Sequence, residues 1–258
     1  MFRYSFFALL LILISPLSDA LEQFGYKVVD KKPQSRDLLV QGLQILDDKL
    51  YVSSGGYEKS RLLRFDFSSG ELEEERRLDP QYWAEGLTIL KDQLLLLTWK
   101  SGIVFVYDKD TLQGRNRLEI PTEGWGITHN SQDLIYSDGT DRIFFLSPEN
   151  YQFKRAIKVT YRGKPLPLLN ELEWIDGRIW ANVWQTDRIV MIDPDTGVVD
   201  GVVNLKGLLP IPERRGDTDV LNGIALNPAD GGIWVTGKHW PWMYRIELVP
   251  VSTAGTDS

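Results

Sequence analysis

The chain has 258 residues, and its 29 Lys and Arg against 36 Asp and Glu give a formal net charge of −7. That balance excludes a protein that neutralises a phosphate backbone, which needs clustered positive charge, so nucleic acid is not expected as a partner. A hydrophobic content of 43% with 25% charged residues excludes a wholly disordered chain, and the absence of cysteine excludes disulfides, thiolate nucleophiles and Cys-ligated zinc.

Residues 1–20 read as a secretory signal peptide. Arg3 precedes an unbroken apolar run from Phe6 to Ile14, and Ser18 and Ala20 are small residues placed for cleavage before Leu21. The run is too short to span a bilayer comfortably, so no stable membrane insertion is expected after cleavage. The mature chain, residues 21–258, is expected to be a single domain, secreted or periplasmic and monomeric, with no second domain or linker. It must hold together by core burial alone, for which its length is ample.

Beyond the signal peptide, Tyr26–Asp30 is a strand-like segment without a partner nearby, and then a unit begins to repeat. Gly42-Leu43-Gln44-Ile45-Leu46 leads through Asp47-Asp48 to Leu50-Tyr51-Val52-Ser53. The same pattern returns at Gly86-Leu87-Thr88, Gly126-Ile127-Thr128, Glu171-Leu172-Glu173 and Gly223-Ile224-Ala225, in steps of 44, 40, 45 and 52 residues. Each copy is a strand, a polar hairpin turn and a second strand, with Lys91-Asp92-Gln93 and Ile175-Asp176-Gly177 again supplying turn chemistry. A third strand ends in a further turn, as in Phe65-Asp66 to Gly70 or Ile192-Asp193 to Gly197, and a fourth leads to the next copy. Five copies of four strands at this period predict an all-β, five-bladed β-propeller rather than a sandwich. The fifth copy runs out near Val249 without a fourth strand, so Tyr26–Asp30 is expected to close the ring by joining the last blade. The small, polar tail Ser252–Ser258 is expected to fray.

Propeller sites collect where loops from all blades converge. The residues that begin and end the repeated strands form clusters: Trp83-Ala84-Glu85-Gly86-Leu87-Thr88, Leu97-Thr98-Trp99, Glu123-Gly124-Trp125-Gly126, Leu169-Asn170-Glu171-Leu172-Glu173 with Ala181-Asn182-Val183-Trp184, and Leu221-Asn222-Gly223-Ile224 with Thr236-Gly237-Lys238. In these motifs, together with Ser137-Asp138-Gly139, the chain resembles the plant and bacterial glutaminyl-peptide cyclotransferases of five-bladed propeller type. The resemblance runs in order from the second blade to the last. It departs from the family pattern at Trp83-Ala84, where Phe-Gly is usual.

The resemblance implies an intramolecular transamidation. The α-amine of an N-terminal glutamine attacks its own side-chain carboxamide, a pyroglutamyl lactam forms, and ammonia leaves, with no cofactor required. Peptides or proteins with an N-terminal Gln would be the substrates. It implies that Glu85 is the general base and then the general acid, that Asn170 and Lys238 serve the oxyanion or hold Glu85, and that Trp99, Trp125 and Trp184 wall the substrate pocket. Residue type alone reads Glu85 as a solvated turn residue, Asn170 as a turn former and Lys238 as a surface lysine. Trp174, Trp180, Trp234 and Trp242 read as packing between blades, while Trp83 and Trp240 fit either role.

Two rival readings compete. A metal-dependent propeller lactonase or other hydrolase would use Glu85, Asn170, Asn222 and Asp138 as ligands to a divalent cation. A non-catalytic exported propeller would be a binding module. Only two histidines, His129 and His239, are present, so a three-His zinc site is excluded. A structural calcium in the channel is compatible with every reading, with no ligands assigned.

Overall fold

Strand-forming sequence and tight turns account for nearly all of the computed structural model, which describes residues 21–251. Residues 1–20, where a signal peptide is expected, and the tail Ser252–Ser258, expected to fray, lie outside the described residues. Strand β1 (Glu22–Pro33) is followed by a first unit of β2 (Val40–Leu46), β3 (Lys49–Ser54), β4 (Arg61–Asp66) and β5 (Leu72–Arg77). The second unit is β6 (Ala84–Leu90), β7 (Gln93–Thr98), β8 (Ile103–Asp108) and β9 (Gly114–Glu119). The third is β10 (Ile127–His129), β11 (Leu134–Ser137), β12 (Arg142–Leu146) and β13 (Phe153–Lys158). A small hairpin, β14 (Thr160–Tyr161) and β15 (Lys164–Pro165), precedes the fourth unit of β16 (Leu169–Ile175), β17 (Arg178–Val183), β18 (Arg188–Ile192) and β19 (Val199–Asn204). The chain ends with β20 (Leu221–Asn227), β21 (Gly232–Gly237) and β22 (Trp242–Pro250); among the described residues the one helical element is a 3-10 turn at Ile211–Glu213.

Each unit is an antiparallel meander, and the hairpin turns have the chemistry the sequence predicts. Asp47 and Asp48 both take positive φ, as do Asp176 and Gly177, the backbone of the two-residue turn whose twist matches the strands it joins. After the third strand, Asp66, Asp108 and Asp193 each accept the backbone N–H of the Ser or Thr three residues on, at 2.7–2.8 Å.

The partnerless segment near the start finds the place expected of it. β1 pairs antiparallel with β22 from Phe24 to Pro33, supplying the fourth strand that the last copy lacks. It also pairs in parallel with β19 over Glu22–Phe24, which the repeat did not foretell and which merges the last two units into one eight-stranded sheet.

The first strands of the units neighbour one another in a circle: β2 touches β6, β6 touches β10, β10 touches β16, β16 touches β20, and β20 returns to β2. The repeated glycine explains how they approach so closely. A Cβ on Gly126 would lie 2.1 Å from the carbonyl oxygen of Asn170, and one on Gly86 would lie 2.7 Å from that of Trp125. Hydrophobic residues fill the space between consecutive units. Tyr51 and Leu62 of the first pack with Leu87 and Leu94 of the second, and Ala225 and Trp234 of the last pack with Leu43 and Val52 of the first. Trp180 and Trp234 are buried in this packing and Trp174 and Trp242 lie partly buried against it, as expected. Trp240 joins them, with its indole N–H donated to the carbonyl of Asp219 at 2.9 Å.

Candidate active site

At one end of the ring the strands stop hydrogen-bonding in regular register. The ladders slip between Val40 and Gly42, Ala84 and Leu87, Leu169 and Leu172, and Leu221 and Ile224. Such bulges re-aim side chains. In four of the five copies the residue just before the repeated Gly or Glu reaches a common space: Gln41, Glu85, Trp125 and Asn170 hold equivalent repeat positions and line one cavity of about 370 Å³. In three units the residue just after the second strand adds to the wall: Trp99, Trp184 and Lys238. All six site residues expected from the sequence therefore face the same cavity, together with Trp83, Leu39, Gln41 and Asp219. Of the proposed lactonase ligands, Asp138 and Asn222 are not among its walls. Asp138 accepts the backbone N–H and hydroxyl of Thr140 in a turn, and Asn222 donates to the carbonyl of Val40 at 3.0 Å.

The polar groups of the cavity are buried, at 6% exposure for Glu85, 3% for Asn170 and 7% for Lys238. Burial pushes the Glu85 carboxyl well above the usual carboxylate range, against the pull of Lys238 and with a further push from Glu123. Lys238 shows the complement: burial lowers its ammonium, while Glu85 and Asp219 favour its charge. Gln41 donates its side-chain N–H to Glu85 Oε1 at 3.1 Å, which leaves Oε2 as the free oxygen of that carboxyl. The hydroxyl of Ser53 donates to the Glu85 carbonyl and that of Ser137 to the Asn170 carbonyl at 2.7 Å, fixing both backbones from the neighbouring strands. The side-chain oxygen of Asn170 is buried and has no partner within the protein.

The aromatic wall is held by a single oxygen. Glu123 Oε2 accepts the indole N–H of Trp99 at 2.9 Å and of Trp125 at 3.0 Å. Trp125 meets Trp184 edge to face at 5.6 Å, and Trp99 meets Trp83 at 5.4 Å, so four rings form two linked pairs around the cavity. Gln41, Leu39, Asp219 and the clamp by Glu123 are additions to the expected set. Gln41 was detectable, because it precedes Gly42 as Glu85 precedes Gly86; no signal in the sequence marks Leu39 or Asp219.

A buried carboxyl of raised pKa, two buried amides and a buried lysine line one tryptophan-walled cavity, surroundings of the kind that acid–base chemistry on a small, compact group uses. A family model described as glutamine cyclotransferase matches residues 6–248. The chain is 35% identical over 232 residues to a protein of Arabidopsis thaliana named glutaminyl-peptide cyclotransferase, covering 88% of this chain and 72% of that relative. Its fold matches the crystal structure of Myxococcus xanthus glutaminyl cyclase with a TM-score of 0.82 and 30% identity, covering 90% of this chain and all of that one. The chain belongs to the glutamine cyclotransferase family.

Proposed function

We propose that this protein is a glutaminyl-peptide cyclotransferase, built as a five-bladed propeller whose ring β1 closes, and that Glu85, Asn170 and Lys238 carry its chemistry. Membership of the family supports the activity. The observation that most supports the residue roles is the convergence of one buried carboxyl, the two buried amides of Gln41 and Asn170, and one buried ammonium on a cavity walled by tryptophans. The circle of neighbouring first strands and the intervening hydrophobic clusters support the five blades.

The reaction follows from that arrangement. The N-terminal glutaminyl group enters between the rings of Trp99, Trp125 and Trp184, which exclude water and hold the side chain folded back on the α-amine. Glu85, ionised, takes a proton from the amine through its free oxygen as the nitrogen attacks the carboxamide carbon. A C–N bond forms and the carbonyl oxygen becomes an oxyanion, which receives the Asn170 amide N–H and the Lys238 charge. Glu85, now protonated, gives its proton to the amide nitrogen. That C–N bond breaks, ammonia leaves, and the lactam remains on the peptide. A raised carboxyl pKa suits a group that must hold a proton between the two steps.

The chemistry needs no metal or cosubstrate. A calcium ion in the channel is given no role in these steps. The enzyme acts as a monomer after export, secreted or periplasmic, on peptides or proteins with an exposed N-terminal Gln. The test is loss of ammonia from a Gln-initiated peptide, observed by mass spectrometry with wild type and Glu85→Gln side by side.

A further inference from the structure

Beside the catalytic cavity lies a second, larger one of about 690 Å³, and the two share Leu39 and Trp83. The aromatic wall runs from one into the other: Trp99 meets Trp83, and Trp83 meets Tyr57 edge to face at 5.3 Å. At Gly55 a Cβ would lie 2.4 Å from Trp83 Nε1, so the absence of a side chain there is what lets the indole stand between the two spaces.

This groove has a charge unlike the rest of the chain. Lys59, Arg61 and Arg77 lie along the wall that carries Tyr57, in a protein of net charge −7. Arg61 and Arg77 are directly opposite one another across β4 and β5, a pairing of like charges that costs stability. One carboxylate serves both, since Glu75 lies 3.7 Å from Arg61 and 3.4 Å from Arg77. Lys59 is exposed and makes no salt bridge within 4 Å among the described residues. Arg36, Asp37 and Asp217 also line the groove, and the Arg36 guanidinium is spent on Thr218 and on the carbonyls of His239 and Glu213.

We propose that the groove receives the residues that follow the N-terminal glutamine, and that it selects peptides with acidic side chains at the second to fourth positions. This rests on the cyclotransferase reading and deepens it. With the glutaminyl group between the tryptophans, the chain leaves over Leu39 and Trp83 and advances about 3.3–3.6 Å per extended residue. Its next side chains then pass Tyr57 and meet the Lys59–Arg61–Arg77 wall. An Asp or Glu there supplies the second anion that the arginine pair lacks.

The experiment compares kcat/KM for Gln-Ala-Glu-Glu-Ala and Gln-Ala-Lys-Lys-Ala, with glutamine amide as a substrate that has no following residues. The acidic peptide should be preferred roughly three- to tenfold at low salt, as expected of exposed charge pairs, and the preference should shrink at about 0.5 M salt. In Lys59→Glu and Arg77→Glu the ratio of the two peptides should fall below its wild-type value. Equal wild-type rates for the two peptides, or a preference that salt leaves unchanged, would overturn the proposal without touching the activity. A preference for the lysine peptide would overturn it too, and would direct the chain over Asp219 into the smaller cavity lined by Asp187 and Arg214. If wild type cyclises neither glutamine amide nor the peptides, the cyclotransferase reading fails and this inference falls with it.

Discussion

Glu123 touches no part of the proposed reaction, yet it is predicted to govern both binding and pH dependence. Its Oε2 holds two indole N–H groups at 2.9 and 3.0 Å, so Glu123→Ala releases Trp99 and Trp125 together. A hydrogen bond to a charged group contributes about 1.5–3 kcal/mol. Glu123 is half-buried, so the low end applies, and two such bonds are worth roughly 3 kcal/mol at most. If that order is lost from the substrate pocket, KM rises about 10- to 100-fold. Glu123→Gln keeps an acceptor oxygen and should raise KM less than about tenfold, since a neutral hydrogen bond is worth about 0.5–1.5 kcal/mol. It removes a negative charge, however. Burial is the main reason the Glu85 carboxyl titrates high; Lys238 opposes that rise and Glu123 adds to it. Without the Glu123 charge the Glu85 pKa falls, and the acid limb of kcat, which reports the enzyme–substrate complex, moves to lower pH. The assay is kcat and KM against pH for wild type, Glu123→Ala and Glu123→Gln on one Gln-initiated peptide. A wild-type KM in Glu123→Ala, or an unmoved acid limb in Glu123→Gln, would refute the coupling.

Other consequences follow from single contacts. Glu173 is buried, and that burial raises its carboxyl to about 8, against hydrogen bonds from Leu226 N–H and Thr128. Its folded-state pKa lies above the unfolded one, so its stabilising contribution is complete below about pH 4.5 and is lost as pH rises toward 8, by roughly 1.4 kcal/mol per unit. Urea denaturation from pH 5 to 8 should therefore show a shallower decline in Glu173→Gln than in wild type, and an identical decline would count against it. Trp125→Ala removes a ring that packs edge to face on Trp184 and should raise KM more than it lowers kcat; a pure kcat defect would contradict its role as a wall. Gly126→Ala drives a Cβ against the Asn170 carbonyl, with an overpacking cost of about 1–3 kcal/mol. It should lower Tm and activity together, and a wild-type Tm would show that the strand junction yields more easily than its geometry suggests.

The repeat made the strands, their hairpin turns and the role of β1 legible, because a spacing of 40 to 52 residues is imposed by the backbone of each unit. The six residues expected at the site were named by the family's motifs rather than by the repeat; what the repeat adds is their place at the ends of first and second strands, from which they line one cavity. Gln41 shares the repeat position of Glu85, but it lies in the one copy that carries no motif of its own, so only the repeat points to it. Glu123 stood within a recognised motif, but its grip on two tryptophans from different loops depends on the ring bringing those loops together. Asp219 and Leu39 come from connections outside the repeat, and the parallel pairing of β1 with β19 depends on how two separate ends of the chain meet. Periodicity carries no information about either.

In the proposed mechanism Glu85 drives cyclisation of N-terminal glutamine without a metal. The decisive experiment is mass spectrometry of a short Gln-initiated peptide incubated with wild type, with Glu85→Gln and with wild type plus chelator. Loss of one ammonia that survives the chelator and slows by roughly a hundredfold or more in Glu85→Gln is the predicted result. An undiminished rate in Glu85→Gln, or no loss of ammonia with folded wild type, would contradict it.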